Sequence, residues 1–204
     1  MNTILDYLGS LFFGGVLLSI ILSANDIASE NHSVYNGDML VQEMMAQTAH
    51  LVEGEFRNMG VGVAETNRSV LAADTSSIRF LYDVDRNGTP DTVTYALGAA
   101  SELPGTQNEL DRPLYRRVSG GTAGAVGVVT MFHLQYMTRL GEVLPTPVPT
   151  GRLSEIHTVE VTMEVQNPYA VLRKAGERQA GERDAIYSSS LWQQTRLASM
   201  NARR

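Results

Sequence analysis

The 204-residue chain contains no cysteine, so neither disulfides nor a thiolate metal centre can hold it together. Basic residues are absent from its first quarter: no Lys or Arg precedes Arg57, and Lys174 is the only lysine. A net charge of −6 and a pI near 5.2 exclude the basic face that nucleic-acid binding normally needs, so no nucleic-acid partner is expected. No G-x-S-x-G, Walker loop or dinucleotide fingerprint is present. His32, His50, His133 and His157 lack any H-x-x-x-H or H-E-x-x-H spacing. Gly120-Gly121-Thr122-Ala123-Gly124 has no Lys where a phosphate cradle requires one and reads as a loop. With no catalytic cluster, the chain does not read as an enzyme.

What the chain does have is one long uncharged run, Tyr7 to Asn25, at its N-terminus. As a helix at about 1.5 Å per residue it approaches the roughly 30 Å of a bilayer's hydrocarbon core. Met1–Asp6 supplies no basic n-region and no small-residue cleavage site follows Leu22, so the run does not read as a secretory signal. Gly9, Gly14 and Gly15 are small residues that let helix backbones approach closely, favouring helix–helix packing over a lone lipid-facing span.

From Asp26 the pattern becomes amphipathic. Ile27, Val34, Val41, Met44, Met45, Thr48, Leu51, Val52, Phe56 and Met59 recur mostly at three- and four-residue steps. Glu30, Asp38, Glu43, Glu53 and Glu55 fall mainly between them. Asn36-Gly37 is the weak point, where a kink or melted turn is expected, and Gly60 and Gly62 mark the end. One helix of about 50 residues follows from this, apolar in its first half (1–25) and amphipathic in its second (26–60).

Beyond Gly62 the period falls to two. The expected strands are Ser77–Asp83, Thr92–Leu97, Leu114–Val118, Gly127–Thr138, Ile156–Gln166 and Ala185–Leu197. In the clearest, Val159, Val161, Met163 and Val165 share one face, while Thr158, Glu160, Thr162 and Glu164 face water. Ile156 breaks that phase and suggests a bulge. Ser119–Gly124, Leu144–Gly151 and the charged Lys174–Arg183 read as loops. Trp192 is expected to anchor the core or a sheet face. The fold class is therefore α+β: a long N-terminal helix packed against an antiparallel head spanning 61–204.

One constellation has ligand spacing. Asp83, Asp85, Asn87, Gly88 and Asp91 match positions one, three, five, six and nine of an EF-hand-type loop, whose alternate oxygens wrap Ca²⁺. The acid expected at position twelve is replaced by Thr94, and Pro90 is unusual there. The competing reading is a hairpin turn built on Asn87-Gly88.

An apolar half-helix, an amphipathic continuation and an antiparallel head together resemble type IV pilins and type II secretion pseudopilins. The Ile78–Gly88 and Asp91–Leu97 segments, then Val128–Tyr136, Gly141–Pro145 and Ile156–Val165, follow the element order of the larger minor pilins (PilW-like, pseudopilin J-like). The resemblance implies a filament subunit held in the cytoplasmic membrane before assembly and polymerising through its N-terminal helix. It also implies other pilins, an assembly ATPase and platform machinery as partners, and a final place at the cell surface. In the family an acid at the fifth helix position meets a neighbour's N-terminal amine. The sequence shows neither the basic leader nor that Glu, and Asp6 is the nearest acid. The alternative is a monomeric, single-span-anchored binding module, calcium-dependent through the 83–91 loop.

Overall fold

The computed structural model describes residues 2–64, 69–106, 108–167 and 190–198. Helix α1 runs from Asn2 to Arg57, 56 residues without interruption, or roughly 84 Å at 1.5 Å per residue. Asn36 and Gly37 lie inside it, so the expected melted turn is not there; the Asn36 side chain meets His32 Nδ1, one turn back, at 2.9 Å. The helix gives way to a turn in which Gly60 and Gly62 adopt φ of 79° and 82°. Gly62 is also needed for space, because a Cβ there would stand 2.8 Å from that of Asp83.

The head is two antiparallel sheets. Strands β1 (Val70–Ala73), β2 (Ser77–Tyr82), β3 (Asp91–Leu97), β4 (Arg112–Val118) and β5 (Gly124–Val129) form a five-stranded meander in chain order. Strands β6 (Met131–Met137), β7 (Thr158–Gln166) and β8 (Ser190–Ala198) form a three-stranded sheet with β7 central. The expected strand Gly127–Thr138 is therefore two strands, one in each sheet, divided at Thr130. Alternation continues almost unbroken across that junction, so periodicity alone does not show the change of sheet. Strand β1 was not foreseen, being only four residues long and rich in alanine.

Strand β7 begins at Thr158, not Ile156. A 3-10 helix at Thr150–Glu155 precedes it, with Ile156 as its C-cap, and β7 pairs both neighbours without a bulge. Val159, Val161, Met163 and Val165 are buried as expected. Glu160 was expected to face water and is instead buried. Being on a central strand, it is covered from β8 by Gln194, which donates to Oε1 at 2.6 Å, and by Arg196, which donates to Oε2. Trp192 lies opposite Glu164 on the outward face of β8 and is exposed, so it belongs to the sheet face and not to the core. The expected Lys174–Arg183 loop lies outside the described residues.

The core is shared between helix and sheets. Val41, Met45, Ala49, Val52 and Phe56 are buried at helical spacing, and α1 packs on β5, β7 and β8. Phe56 meets Phe80 and Tyr95 edge-on, with ring centroids 5.4 and 5.5 Å apart, a preferred aromatic geometry. Gly127 on β5 lets the helix approach, because a Cβ there would collide with the side chain of Thr48. Ile27, on the same heptad-like stripe, is exposed: the head covers only the C-terminal part of the helix.

Candidate functional site

The helix is long enough to serve two roles at once. Its stretch Tyr7–Ser29 is long and apolar enough to cross a membrane, and none of it is buried by the rest of the chain. Leu11, Phe12, Phe13, Leu17, Leu18 and Ile21 are each more than half exposed. A soluble monomer rarely presents so continuous an apolar surface, which marks it for lipid or protein contact. A Cβ added at Gly9, Gly14 or Gly15 would meet nothing within 4 Å, so among the described residues these glycines serve no packing need. Asp6 lies within the helical backbone; its side chain is outside the described residues.

A buried ionic cluster ties this helix to the head. Sequence periodicity placed Glu55 among the residues between apolar positions, yet its side chain is buried. Arg116 on β4 grips both oxygens: Nε donates to Oε2 at 2.9 Å, and the second guanidinium nitrogen donates to Oε1. The Tyr82 hydroxyl donates to Oε1 at 3.0 Å and the Tyr95 hydroxyl donates to Oε2. Four donors thus saturate one carboxylate, as a buried charge requires. Burial first, then the Glu55 charge, pushes Tyr82 up to about 12 and raises Tyr95 further. Beside this cluster, Glu53 Oε1 accepts Gln193 Nε2 at 2.9 Å and Thr195 Oγ1 at 2.8 Å from β8. The helix therefore meets both sheets through directional bonds.

The 83–91 loop joins β2 to β3. One carboxylate oxygen from each of Asp83, Asp85 and Asp91 lies within 4.8 Å of the others. Asp83 Oδ1 and Oδ2 accept the amides of Asn87 and Gly88 at 3.0 and 2.8 Å, and Asp91 Oδ2 accepts that of Val84 at 3.2 Å. Asn87 is brought alongside, with Nδ2 donating to Asp85 Oδ2 at 2.9 Å and Oδ1 accepting the Thr89 amide at 2.8 Å. Gly88 takes φ of 87°, the left-handed region that favours glycine, and Arg86 takes φ of 58°. Asp83, Asp85 and Asn87 thus lie in the loop, with Asp91 beside them at the first residue of β3. The hairpin is closed by eight residues between the strands rather than by a two-residue Asn-Gly turn.

No family model and no curated protein matches the chain. Among solved structures, it is similar to a type IV-like pilin from Thermus thermophilus, with 9% sequence identity and a TM-score of 0.48. The match covers 79% of this chain and 96% of that one.

Proposed function

We propose that the chain is a structural subunit of a type IV pilus-like or pseudopilus filament, polymerising through its N-terminal helix. The observation that carries this reading is the division of α1. One continuous helix is wholly uncovered over Tyr7–Ser29, yet is clamped to the head at Glu53 and Glu55. A simple tether needs no such rigid coupling. A subunit that must transmit its helix packing to the position of its head does.

In this reading the apolar half waits in the cytoplasmic membrane and then exchanges lipid for neighbouring helices. Close packing at Gly9, Gly14 and Gly15 favours that exchange. Asp6 pairs with an N-terminal amine, since a carboxylate beside an apolar segment is costly unless paired or near the interface. Other pilins, an assembly ATPase and its platform are the partners, and the cell surface is the destination. The element order favours the larger minor-pilin type. The test is electron microscopy of sheared cell surfaces with an antibody against the head. Labelled fibres support the filament, whereas diffuse envelope labelling refutes it. Gly14→Leu with Gly15→Leu should abolish fibres while leaving membrane anchoring intact.

The second reading, a monomeric anchored module that binds calcium, is favoured by the three clustered carboxylates of the 83–91 loop. Asp83, Asp85, Asn87 and Asp91 supply the hard oxygens such an ion takes. Calorimetry with CaCl₂ tests it directly: no heat at millimolar calcium rules the ion out.

A further inference from the structure

Beyond the membrane-length stretch Tyr7–Ser29, the helix carries apolar side chains on two faces. One holds Val41, Met45, Val52 and Phe56, which the head buries. The other holds Tyr35 and Met39, about one helical turn apart, which stay 70% and 71% exposed. At about 100° per residue this second face lies about 120° around the helix from the buried one, and the head leaves it open. Lipid does not cover it either. Tyr7–Ser29 already extends roughly 34 Å, against about 30 Å for a hydrocarbon core. Tyr35 stands about 9 Å and Met39 about 15 Å further along the axis, beyond the roughly 5–8 Å that headgroups add on one side. Sinking the helix far enough to wet them with lipid would draw Asp26 into hydrocarbon, which is costly.

This open face continues a seam that begins in the apolar run. Leu17, Ile21, Ala24, Ala28, Asn31 and Tyr35 follow one another at steps of four, three, four, three and four, and Met39 comes four residues later. That alternation is the spacing of a two-helix seam. Every one of these residues is exposed. Ala24 and Ala28 leave room for close backbone approach. Asn31 is the single asparagine among them, just past the membrane-length stretch, and one such residue in a seam fixes register and oligomeric state.

We propose that this seam pairs with the same seam of a second copy, forming a parallel, in-register helix dimer in the membrane. Two chains anchored in one membrane by the same helix point the same way, so the pair is parallel. The same face on both copies makes the contact isologous, closed by a two-fold axis along the helices. Asn31 then meets its own counterpart, amide to amide. Tyr35 and Met39 exchange water for the facing helix and carry the seam past the lipid. The heads, on a face about 120° away, do not stand between the helices. The pairing rests on the membrane placement proposed above and not on fibre formation.

The absence of native cysteine lets single positions report the seam. The full chain is placed in bilayers with one cysteine at a time and oxidised with copper phenanthroline. An in-register pair sets each seam residue against its counterpart. Ala24→Cys, Ala28→Cys, Tyr35→Cys and Met39→Cys should therefore give disulfide-linked dimers. Ser19→Cys, Asp26→Cys and Asn36→Cys, roughly 90–180° away around the helix, should give about tenfold less. Adding Tyr35→Glu with Met39→Glu should cut the Ala28→Cys dimer about tenfold, equivalent to about 1.4 kcal/mol. Both side chains are exposed in the single chain and lie outside the span, so thermal unfolding of the head and membrane retention should not change.

Equal yields on and off the seam, or no dimer at any position, overturn the proposal. An Ala28→Cys dimer indifferent to the two glutamates does so too, because the seam then ends with the membrane. Loss of retention on lipid vesicles in Tyr35→Glu/Met39→Glu assigns these side chains to the lipid surface and also overturns it. Recovery of the chain outside the membrane fraction refutes the placement on which the pairing rests. Fibres of the native chain are imaged separately. Fibres without seam cross-links refute the pairing alone, and seam cross-links without fibres uphold the pairing and refute the filament.

Discussion

Replacing Glu55 with alanine should be among the most damaging single changes in the head. The Glu55 side chain is 8% exposed and that of Arg116 23%. Removal leaves a guanidinium without its counter-ion and deprives the buried hydroxyls of Tyr82 and Tyr95 of their acceptor. Breaking a buried ion pair from one side costs about 3–5 kcal/mol. Because Arg116 keeps nearly a quarter of its surface in water and can rehydrate, the lower end applies, about 3 kcal/mol. For a chain of this size that corresponds to a fall in Tm of roughly 6–12 °C.

The assay is thermal unfolding of the full chain in detergent micelles, followed by near-ultraviolet circular dichroism of the head's aromatic rings. A double-mutant cycle with Arg116→Ala separates the pair from the rest. The double variant should lose less than the sum of the two single losses, because no charge is then left unpaired. A loss below about 1 kcal/mol for Glu55→Ala is the range of an exposed salt bridge and would refute the claim that this cluster clamps the helix.

Gly127→Ala should destabilise the head by about 1–3 kcal/mol through overpacking against Thr48; Thr48→Ala should recover part of that loss in denaturant titrations, and strict additivity would contradict the close approach. Alkaline pH should weaken the fold from within. Burial first, then Glu55 for Tyr95 and Asp74 for Tyr136, raises both phenols above the ordinary value of 10, as Tyr82 is also raised. The folded chain then holds protons that the unfolded chain releases. Stability should be intact below pH 10 and fall as pH rises towards 12, by about 1.4 kcal/mol per pH unit for each of the two deeply buried rings. A flat stability profile from pH 9 to 12 would contradict this. Asp111 is 1% exposed, with Oδ2 unpartnered, and its carboxyl is raised by burial against a weaker opposing hydrogen bond from Thr106. Its favourable contribution is complete below about pH 4 and lost above its folded pKa, so Asp111→Asn should gain on the native chain as pH rises from 3 to 7, by about 1.4 kcal/mol per unit of pKa shift. Parallel pH profiles for the two chains would refute the buried charge.

The sequence by itself determined the elements whose cause is local. An uncharged run followed by a three- and four-residue apolar rhythm has one regular solution, a helix. The alternation in β7 likewise identified the buried face of Val159, Val161, Met163 and Val165. The 83–91 loop was legible because its ligand-like residues lie close in sequence, where spacing translates directly into proximity. What only the tertiary structure decided concerns partners far apart in the chain. Thr130 divides two sheets because β5 pairs with β4 whereas β6 pairs with β7, and no local pattern records which strand a neighbour will find. Glu160 is buried by residues of β8, more than 30 positions away. Glu55 carries the same lesson most fully. A carboxylate on a helix ordinarily belongs in water, and this one is buried because Arg116, 61 residues away, and two tyrosines from neighbouring strands together replace the hydration it loses.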